Sequence, residues 1–466
     1  MRALSFIGRS LALAAVFGFA GPSVAEDCDR LRELKALIED QGIYLETAKS
    51  GVRLGGWVEA SYTYGLNGGG TDSGVNGTPT ENLVTGDDSN DFNVNAVRLI
   101  LEKALPEENT WAAGFRVDLA IGEDYKGGFD NDPGLGNGDS AINIEAAYVQ
   151  LRVPVGRGLD LTIGKWLSPI GYEAPDRAEN DNFTFGIVGS YLEAGFHTGI
   201  LAELPVTDLL TLMFGVCNGW GNSDTDFLDG DGGDDGPSDW AKTLIAGFEL
   251  KNAAGNASMV AAASWTPEGD AFAGNVANGL LDGTADGSDA DGGENQNIFT
   301  FSINGDWEPA CCDGRLKLAF CVDFVWAEDN LHRLVGDPPT GRGANSATAW
   351  GAALYARYNI TDHFFLATRG EYLHSDDGTL GFSDGLVPWP NTGASLDENS
   401  VYVSNTDLYS FTLTAGFSPC DGLLLRAEYR LDAASSDGGD DGENNIFGNN
   451  QSDQHMFSVD AVYSFW

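Results

Sequence analysis

Residues Leu54 to Tyr64 alternate between two chemistries. Leu54, Val58, Ala60, Tyr62 and Tyr64 fall on one side of an extended chain, while Arg53, Glu59, Ser61 and Thr63 fall on the other. Trp111 to Ile121 repeats the pattern, with Trp111, Ala113, Phe115, Val117, Leu119 and Ile121 opposing Arg116 and Asp118. Leu316 to Trp326 does so again, with Leu316, Leu318, Phe320, Val322, Phe324 and Trp326 opposing Lys317, Cys321 and Asp323. Each of these is a two-faced strand. Similar alternation runs near 92–103, 143–153, 159–168, 194–204, 209–218, 243–251, 257–265, 297–307, 347–358, 364–373, 407–417, 423–431 and 454–466, so the pattern predicts sixteen strands.

The connections sort into two kinds. Seven are short and turn-like: Leu105 to Asn109, Pro154 to Gly158, Leu204 to Asp208, Asn252 to Asn256, Glu308 to Gly314, Asn359 to His363 and Ser418 to Gly422. Between them lie eight long segments rich in Gly, Asp, Asn and Ser, among them Gly219 to Trp240, Thr266 to Gln296 and Asp432 to Asp453. Strict alternation of short and long connections is what an up-and-down barrel with both termini at one end requires. A soluble sandwich gives no reason for length to alternate by end.

In water such a barrel would expose a belt of Phe, Leu, Val and Trp far larger than soluble proteins tolerate. In a bilayer the same belt meets lipid, strands near ten residues fit a tilted crossing, and closure satisfies every backbone polar group. Aromatics gather towards strand ends: Tyr62, Tyr64, Trp265, Trp326, Tyr372 and Tyr429 by the long loops, and Trp307, Tyr358, Phe364, Phe417 and Phe465 by the short turns. Two such girdles are selected at membrane interfaces. The fold expected is therefore all-β: a transmembrane antiparallel up-and-down β-barrel of about sixteen strands over 51–466, with long extracellular loops and short periplasmic turns.

The N-terminus reads differently. Met1 to Ala25 carries Arg2 and Arg9, an apolar stretch from Leu11 to Ala20, and small residues Ser23 and Ala25 before Glu26, the layout of a cleaved export signal. Cys28 to Gln41 has Leu31, Leu34 and Ile38 at helical spacing, so a short periplasmic helical segment is expected within 26–50. Of the six cysteines, Cys28, Cys311, Cys312 and Cys420 fall on the expected periplasmic side, with Cys217 and Cys321 in strands, and the sequence leaves their pairing open.

The last strand carries a resemblance. In Phe457 to Trp466 the residues Phe457, Val459, Ala461, Tyr463 and Phe465 alternate against Ser458, Asp460 and Ser464. This resembles the terminal strand that bacterial outer-membrane porins present to their barrel-insertion machinery, which makes Tyr463, Phe465 and Trp466 the candidate insertion signal. Phe465 holds the usual register and Trp466 adds one residue. The Leu54-Gly-Gly-Trp-Val-Glu-Ala-Ser-Tyr opening, Gly164-Lys-Trp-Leu-Ser-Pro-Ile-Gly-Tyr-Glu173 and the Gly- and Asn-rich loops look like the β-barrel porin-2 (OmpL-like) family. The resemblance implies an outer-membrane channel for small hydrophilic solutes, in contact with outer-membrane lipid and assembled as a homotrimer; it implies no catalytic residues.

Charge then refines the picture. The chain of 466 residues has 70 acidic and 25 basic side chains, a formal charge of −45 that excludes a nucleic-acid binder. Loss of the export signal removes two arginines and no acid, giving −47. Glu59, Arg98, Glu102, Arg116, Asp118, Arg357, Arg369, Glu371, Arg426, Glu428 and Arg430 lie opposite the lipid belt and are the candidate pore-lining residues. A midplane arginine facing lipid would cost about 2–4 kcal/mol, which supports the inward assignment. Either Tyr172 to Tyr191 or Thr266 to Gln296 could fold inward as a constriction, and the sequence does not choose.

Much of the excess acid lies in long loops. Asp224, Asp226, Asp229, Asp231, Asp234, Asp235 and Asp239 crowd one, and Asp282, Asp286, Asp289, Asp291 and Glu294 another. No cofactor is expected, although Asp229, Asp231, Asp234 and Asp235 are a candidate calcium site that lacks the D-x-D-x-D-G pattern. Acidic loops at the mouth attract cations, while inner arginines favour anions, so the expectation is a diffusion channel with modest cation preference at low salt. The five histidines, His197, His332, His363, His374 and His455, are scattered outside any nucleophile motif, which argues against an enzyme. A porin selective for sugar or phosphate, or a non-conducting surface-binding barrel, are the rival expectations.

Overall fold

A computed structural model describes residues 51–66, 92–122, 124, 142–218, 242–266, 297–327, 347–375, 382–383, 385–386, 406–436 and 453–465. The expected export signal and the N-terminal helical segment lie outside these residues. The strands are β1 (Arg53–Gly65), β2 (Phe92–Lys103), β3 (Ala112–Ile121), β4 (Asn143–Val153), β5 (Leu159–Leu167), β6 (Phe196–Pro205), β7 (Leu210–Cys217), β8 (Thr243–Lys251) and β9 (Ala257–Thr266). They continue with β10 (Ile298–Trp307), β11 (Leu316–Ala327), β12 (Ala347–Asn359), β13 (Phe364–Ser375), β14 (Phe382–Ser383), β15 (Gly385–Leu386), β16 (Thr406–Cys420), β17 (Leu423–Ser436) and β18 (Asp453–Phe465). One short helix, α1 (Ile187–Leu192), stands between β5 and β6.

Sixteen of these strands form one closed antiparallel barrel, in which each pairs with its neighbours and β1 closes on β18. The tiny β14–β15 pair is a separate ladder. The closing register sets Ala60 opposite Ala461 and Ser61 opposite Asp460. The strand boundaries follow the sequence alternation closely, because one face of every strand must match lipid and the other must not.

Burial runs opposite to that of a soluble protein. Along β13 Phe365, Ala367, Arg369, Glu371, Leu373 and Ser375 are buried, so polar and charged side chains lie inside. Along β16 Ser410, Thr412 and Thr414 are buried while Tyr409, Phe411 and Leu413 are exposed. The exposed apolar belt includes Val149, Ile163, Ile200, Phe214, Leu354 and Val459. The aromatic girdles contain exposed Tyr64, Trp265, Trp350 and Tyr409 by the long loops, and Trp111, Trp307, Tyr358, Phe417 and Phe465 by the short turns. In the first girdle Tyr372 bridges Trp350 and Tyr409, with ring centroids 5.1 and 5.2 Å away. Tyr463 and Phe465 both face outward, and Trp466 lies outside the described residues.

One turn is tighter than its sequence suggests. β16 runs on through Pro419 to Cys420 with an irregular register after Phe417, leaving Asp421 and Gly422 as the connection. Gly422 has φ +80°, a conformation glycine takes without strain.

Candidate functional site

The connection from β5 to β6 turns into the barrel instead of away from it. Its base is closed by the Ser168 N–H donating to Gly195 O at 3.0 Å. The segment then forms a 3₁₀ turn at Arg177–Glu179 and the helix α1. Ile187, Val188, Tyr191 and Leu192 pack against Val325, Ala349, Ala353, Leu373 and Leu408, which gives the inner wall of β11–β13 and β16 an apolar lining that α1 covers. Of the two loops proposed as the constriction, 172–191 is thus inside the barrel, and 267–296 lies outside the described residues.

An irregular segment inside a barrel must find partners for its backbone N–H and C=O groups. The strand wall supplies them. Glu428 accepts the N–H of Phe183 at 2.6 Å, the N–H of Thr184 at 2.9 Å and the Thr184 hydroxyl at 2.6 Å. Arg369 donates to Thr184 O at 2.7 Å and Phe185 O at 3.1 Å, and pairs with Glu173 at 2.6 Å and Glu371 at 2.8 Å. Arg426 donates to Arg177 O at 3.0 Å and Asn180 O at 2.7 Å while pairing with Glu59 at 3.0 Å and Asp460 at 2.9 Å. Arg98 joins Asp118 of the wall to Asp176 of the loop, at 3.0 and 2.7 Å. Glu371 accepts the Val188 N–H at 3.2 Å, and Gly186 lies so close to that carboxylate that a Cβ there would collide with it.

Of the eleven candidate pore-lining residues, Glu59, Arg98, Asp118, Arg369, Glu371, Arg426, Glu428 and Arg430 are buried. All eight sit on the inner face, covered by the loop and its ion pairs. Glu102, Arg116 and Arg357 keep exposures of 20, 27 and 33%, on the turn side of the loop. There Lys317 stands opposite Arg357, and Arg152 opposite Asp160, with an ion pair of 2.6 Å in the latter. Opposed strand residues share a face, so these charges continue the inner wall.

The loop's own acids respond to this setting. Burial pushes the Glu173 carboxyl above its usual range, with the Arg369 guanidinium drawing it back. Glu193 is raised well above the usual range by burial, then by Asp323 and Glu173.

Sequence reasoning missed Glu173, Asp176 and Arg177, because a loop has no period to mark its inward residues. It also missed the ion-pair partners Asp432 and Asp460, for which a signal existed: Asp432 follows Arg430 by two positions on one strand face, as Asp118 follows Arg116. Arg177 lies over the Phe185 ring at 4.4 Å and pairs with Asp124 at 2.6 Å. The candidate calcium ligands Asp229, Asp231, Asp234 and Asp235 lie outside the described residues. No disulfide joins the described cysteines; the Cys311 and Cys312 sulfurs are 3.3 Å apart. His197 does meet a serine, Ser168, at 3.0 Å, but the ring is buried and Ser168 Oγ also accepts the Ile170 N–H, a fastening at the foot of the loop.

A closed antiparallel barrel that is apolar outside, charged within and narrowed by a loop tied to its inner wall defines an outer-membrane channel of the porin class. Residues 51–465 match the family described as Putative beta-barrel porin-2, OmpL-like, and the chain belongs to it. Among solved structures it is similar in fold to OprB of Pseudomonas putida, with TM-score 0.54 and 9% identity over 92% of this chain and 97% of that one. It is also similar to the outer-membrane channel DcaP of Acinetobacter baumannii, with TM-score 0.52 and 13% identity over 89% and 97% of the two chains. An anion-selective porin from Comamonas acidovorans aligns with TM-score 0.51 and 11% identity over 89% and 99%. Comparison with curated proteins finds no match.

Proposed function

We propose that the protein forms a water-filled pore for passive diffusion of small hydrophilic solutes and ions across the outer membrane, with the loop between β5 and β6 setting its width. The observation that carries this reading is the loop itself: it is fastened to the wall by Glu428, Arg369 and Arg426, while Arg116, Glu102 and Arg357 stay accessible on the turn side.

The pore prefers cations modestly at low salt. Most inner arginines already face carboxylates, so they cancel locally, whereas the acidic long loops hold a large share of the formal charge of −45. The similar Comamonas porin is described as anion-selective, so the two chains are expected to differ in sign. Export through a cleaved signal and assembly as a homotrimer complete the proposal, on the strength of the N-terminal pattern and the family.

Purified protein in planar bilayers tests it. Stepwise conductance with a reversal potential of cation sign at low salt is expected, and the preference should shrink in 1 M salt, where the screening length falls to about 3 Å. A barrel that inserts but passes no current, and fails to support solute-driven swelling of liposomes, would overturn the channel reading.

A further inference from the structure

Inside the barrel, buried carboxylates are matched with arginines: Glu59 and Asp460 with Arg426, Asp118 and Asp176 with Arg98, Glu173 and Glu371 with Arg369. At β11 the pattern stops. Glu193, at the end of the loop, meets Cys321 and Asp323 of β11, and one donor atom from each lies within 4.8 Å of the others. Cys321 Sγ is 3.0 Å from Asp323 Oδ2 and 3.4 Å from Glu193 Oε1. Among the described residues no basic side chain pairs with Glu193 or Asp323. Cys321 and Asp323 are wholly buried, and Asp323 Oδ1 has no hydrogen-bond partner.

Two positions apart on a strand, Cys321 and Asp323 point to the same inner face, so β11 presents a soft and a hard donor side by side. Three acidic groups cannot all ionise in one buried spot without a counter-charge, so the cluster holds either protons or a cation. The donor set decides which cation fits. Calcium and magnesium take oxygen ligands alone, whereas a thiolate with two carboxylates suits a borderline-soft divalent ion of the zinc type in a four-coordinate shell.

We propose that Glu193, Cys321 and Asp323 form a divalent-cation site of zinc type, with water in the fourth position, that fastens the constriction loop to the barrel wall. Glu193 is half-buried, the most accessible of the three. The same Glu193 Oε1 accepts the Tyr172 N–H at 3.1 Å, so the first and last parts of the loop meet at the site. Gly171, at φ +112°, lets the chain pass where a Cβ would strike the Glu193 carboxylate. A bound cation displaces the cluster's protons to water and holds both ends of the loop on β11. The site is independent of the channel reading, since it asks only for a folded barrel.

The test uses the full chain, refolded in detergent and stripped with a chelator. Cys311 and Cys312 are replaced by serine in all samples, because an exposed vicinal pair binds zinc by itself. Equilibrium dialysis with Zn²⁺ alone is expected to show one saturable equivalent, and Co²⁺ in its place to give a thiolate charge-transfer absorption. Cys321→Ser removes that absorption and weakens Zn²⁺ binding by more than the roughly 10–100-fold that loss of an outer-shell partner costs. Glu193→Gln, a loop substitution outside the barrel strands, weakens it too, with folding checked by heat-modifiable migration on a gel. Neutralising Asp229, Asp231, Asp234 and Asp235 to asparagine leaves the saturable equivalent in place. Absence of saturable binding, or binding unchanged by both Cys321→Ser and Glu193→Gln, would make the cluster a proton-sharing one and overturn the proposal.

Discussion

Glu428 of β17 accepts the backbone N–H of Phe183 at 2.6 Å, across 245 residues of sequence. With the two bonds from Thr184, one strand carboxylate holds the tip of the loop against the wall. Hydrogen bonds to a charged group each contribute about 1.5–3 kcal/mol. Glu428→Ala is therefore expected to free the tip, raising single-channel conductance and current noise while the barrel still folds. Glu428→Gln, which keeps an acceptor, should fall between the two in bilayer recordings.

Arg426 is the partner of Glu59 and Asp460 and is fully buried. Arg426→Ala leaves two carboxylates without their cation, a change that costs about 3–5 kcal/mol when a buried pair is broken. The expected result is a folded gel band that melts at lower temperature, together with an unfolding midpoint shifted to lower urea. An unchanged midpoint would mean that water fills the gap and solvates both acids.

The pH response has a definite sign. Burial raises Glu173 above its ordinary value of 4.5, against the pull of Arg369. An acid raised on folding contributes stability in full below its unfolded pKa and loses it as pH rises through the folded one. The loop should accordingly pack more tightly in acid and loosen as pH climbs above the usual carboxylate range. Current noise recorded across that span should rise with pH, and Glu173→Gln should flatten part of the rise.

The lipid belt can be probed at Leu354, which is 69% exposed and faces outward midway along β12. Leu354→Arg places a charge in hydrocarbon at a cost of about 2–4 kcal/mol. Refolding into lipid vesicles should lose yield, whereas refolding into small detergent micelles, where the side chain reaches water, should suffer less.

Exchange of Arg357 for glutamate tests the water-exposed inner wall. Arg357 retains 33% exposure, faces Lys317 and pairs with Asp181. Arg357→Glu should move the reversal potential further towards cations at low salt, with a smaller effect at high salt. Reversal of the same kind at the buried Arg369 should instead disrupt the loop, changing conductance more than selectivity.

The barrel was legible in the sequence because a period of two is imposed residue by residue: Leu54 to Tyr64 and Leu316 to Trp326 sort into lipid and inner faces whatever lies elsewhere in the chain. The alternation of short and long connections then carried the topology. The constriction was only half legible. Tyr172 to Tyr191 and Thr266 to Gln296 looked alike as candidates, since a loop's direction depends on partners such as Glu428 and Arg369 that lie far away in sequence.

By itself, then, the sequence determined a two-faced strand repeated sixteen times, the inward placement of the charged residues, and the acidic character of the long loops. Those follow from local alternation and from the cost of charge in lipid. Only closure of the sheet decided which charges meet: Glu59 of the first strand reaches Arg426 because β1 pairs with β18, and Cys321 meets Glu193 because the loop turns inward. Electrostatic pairing at about 3 Å is a property of three-dimensional register, which no one-dimensional period encodes.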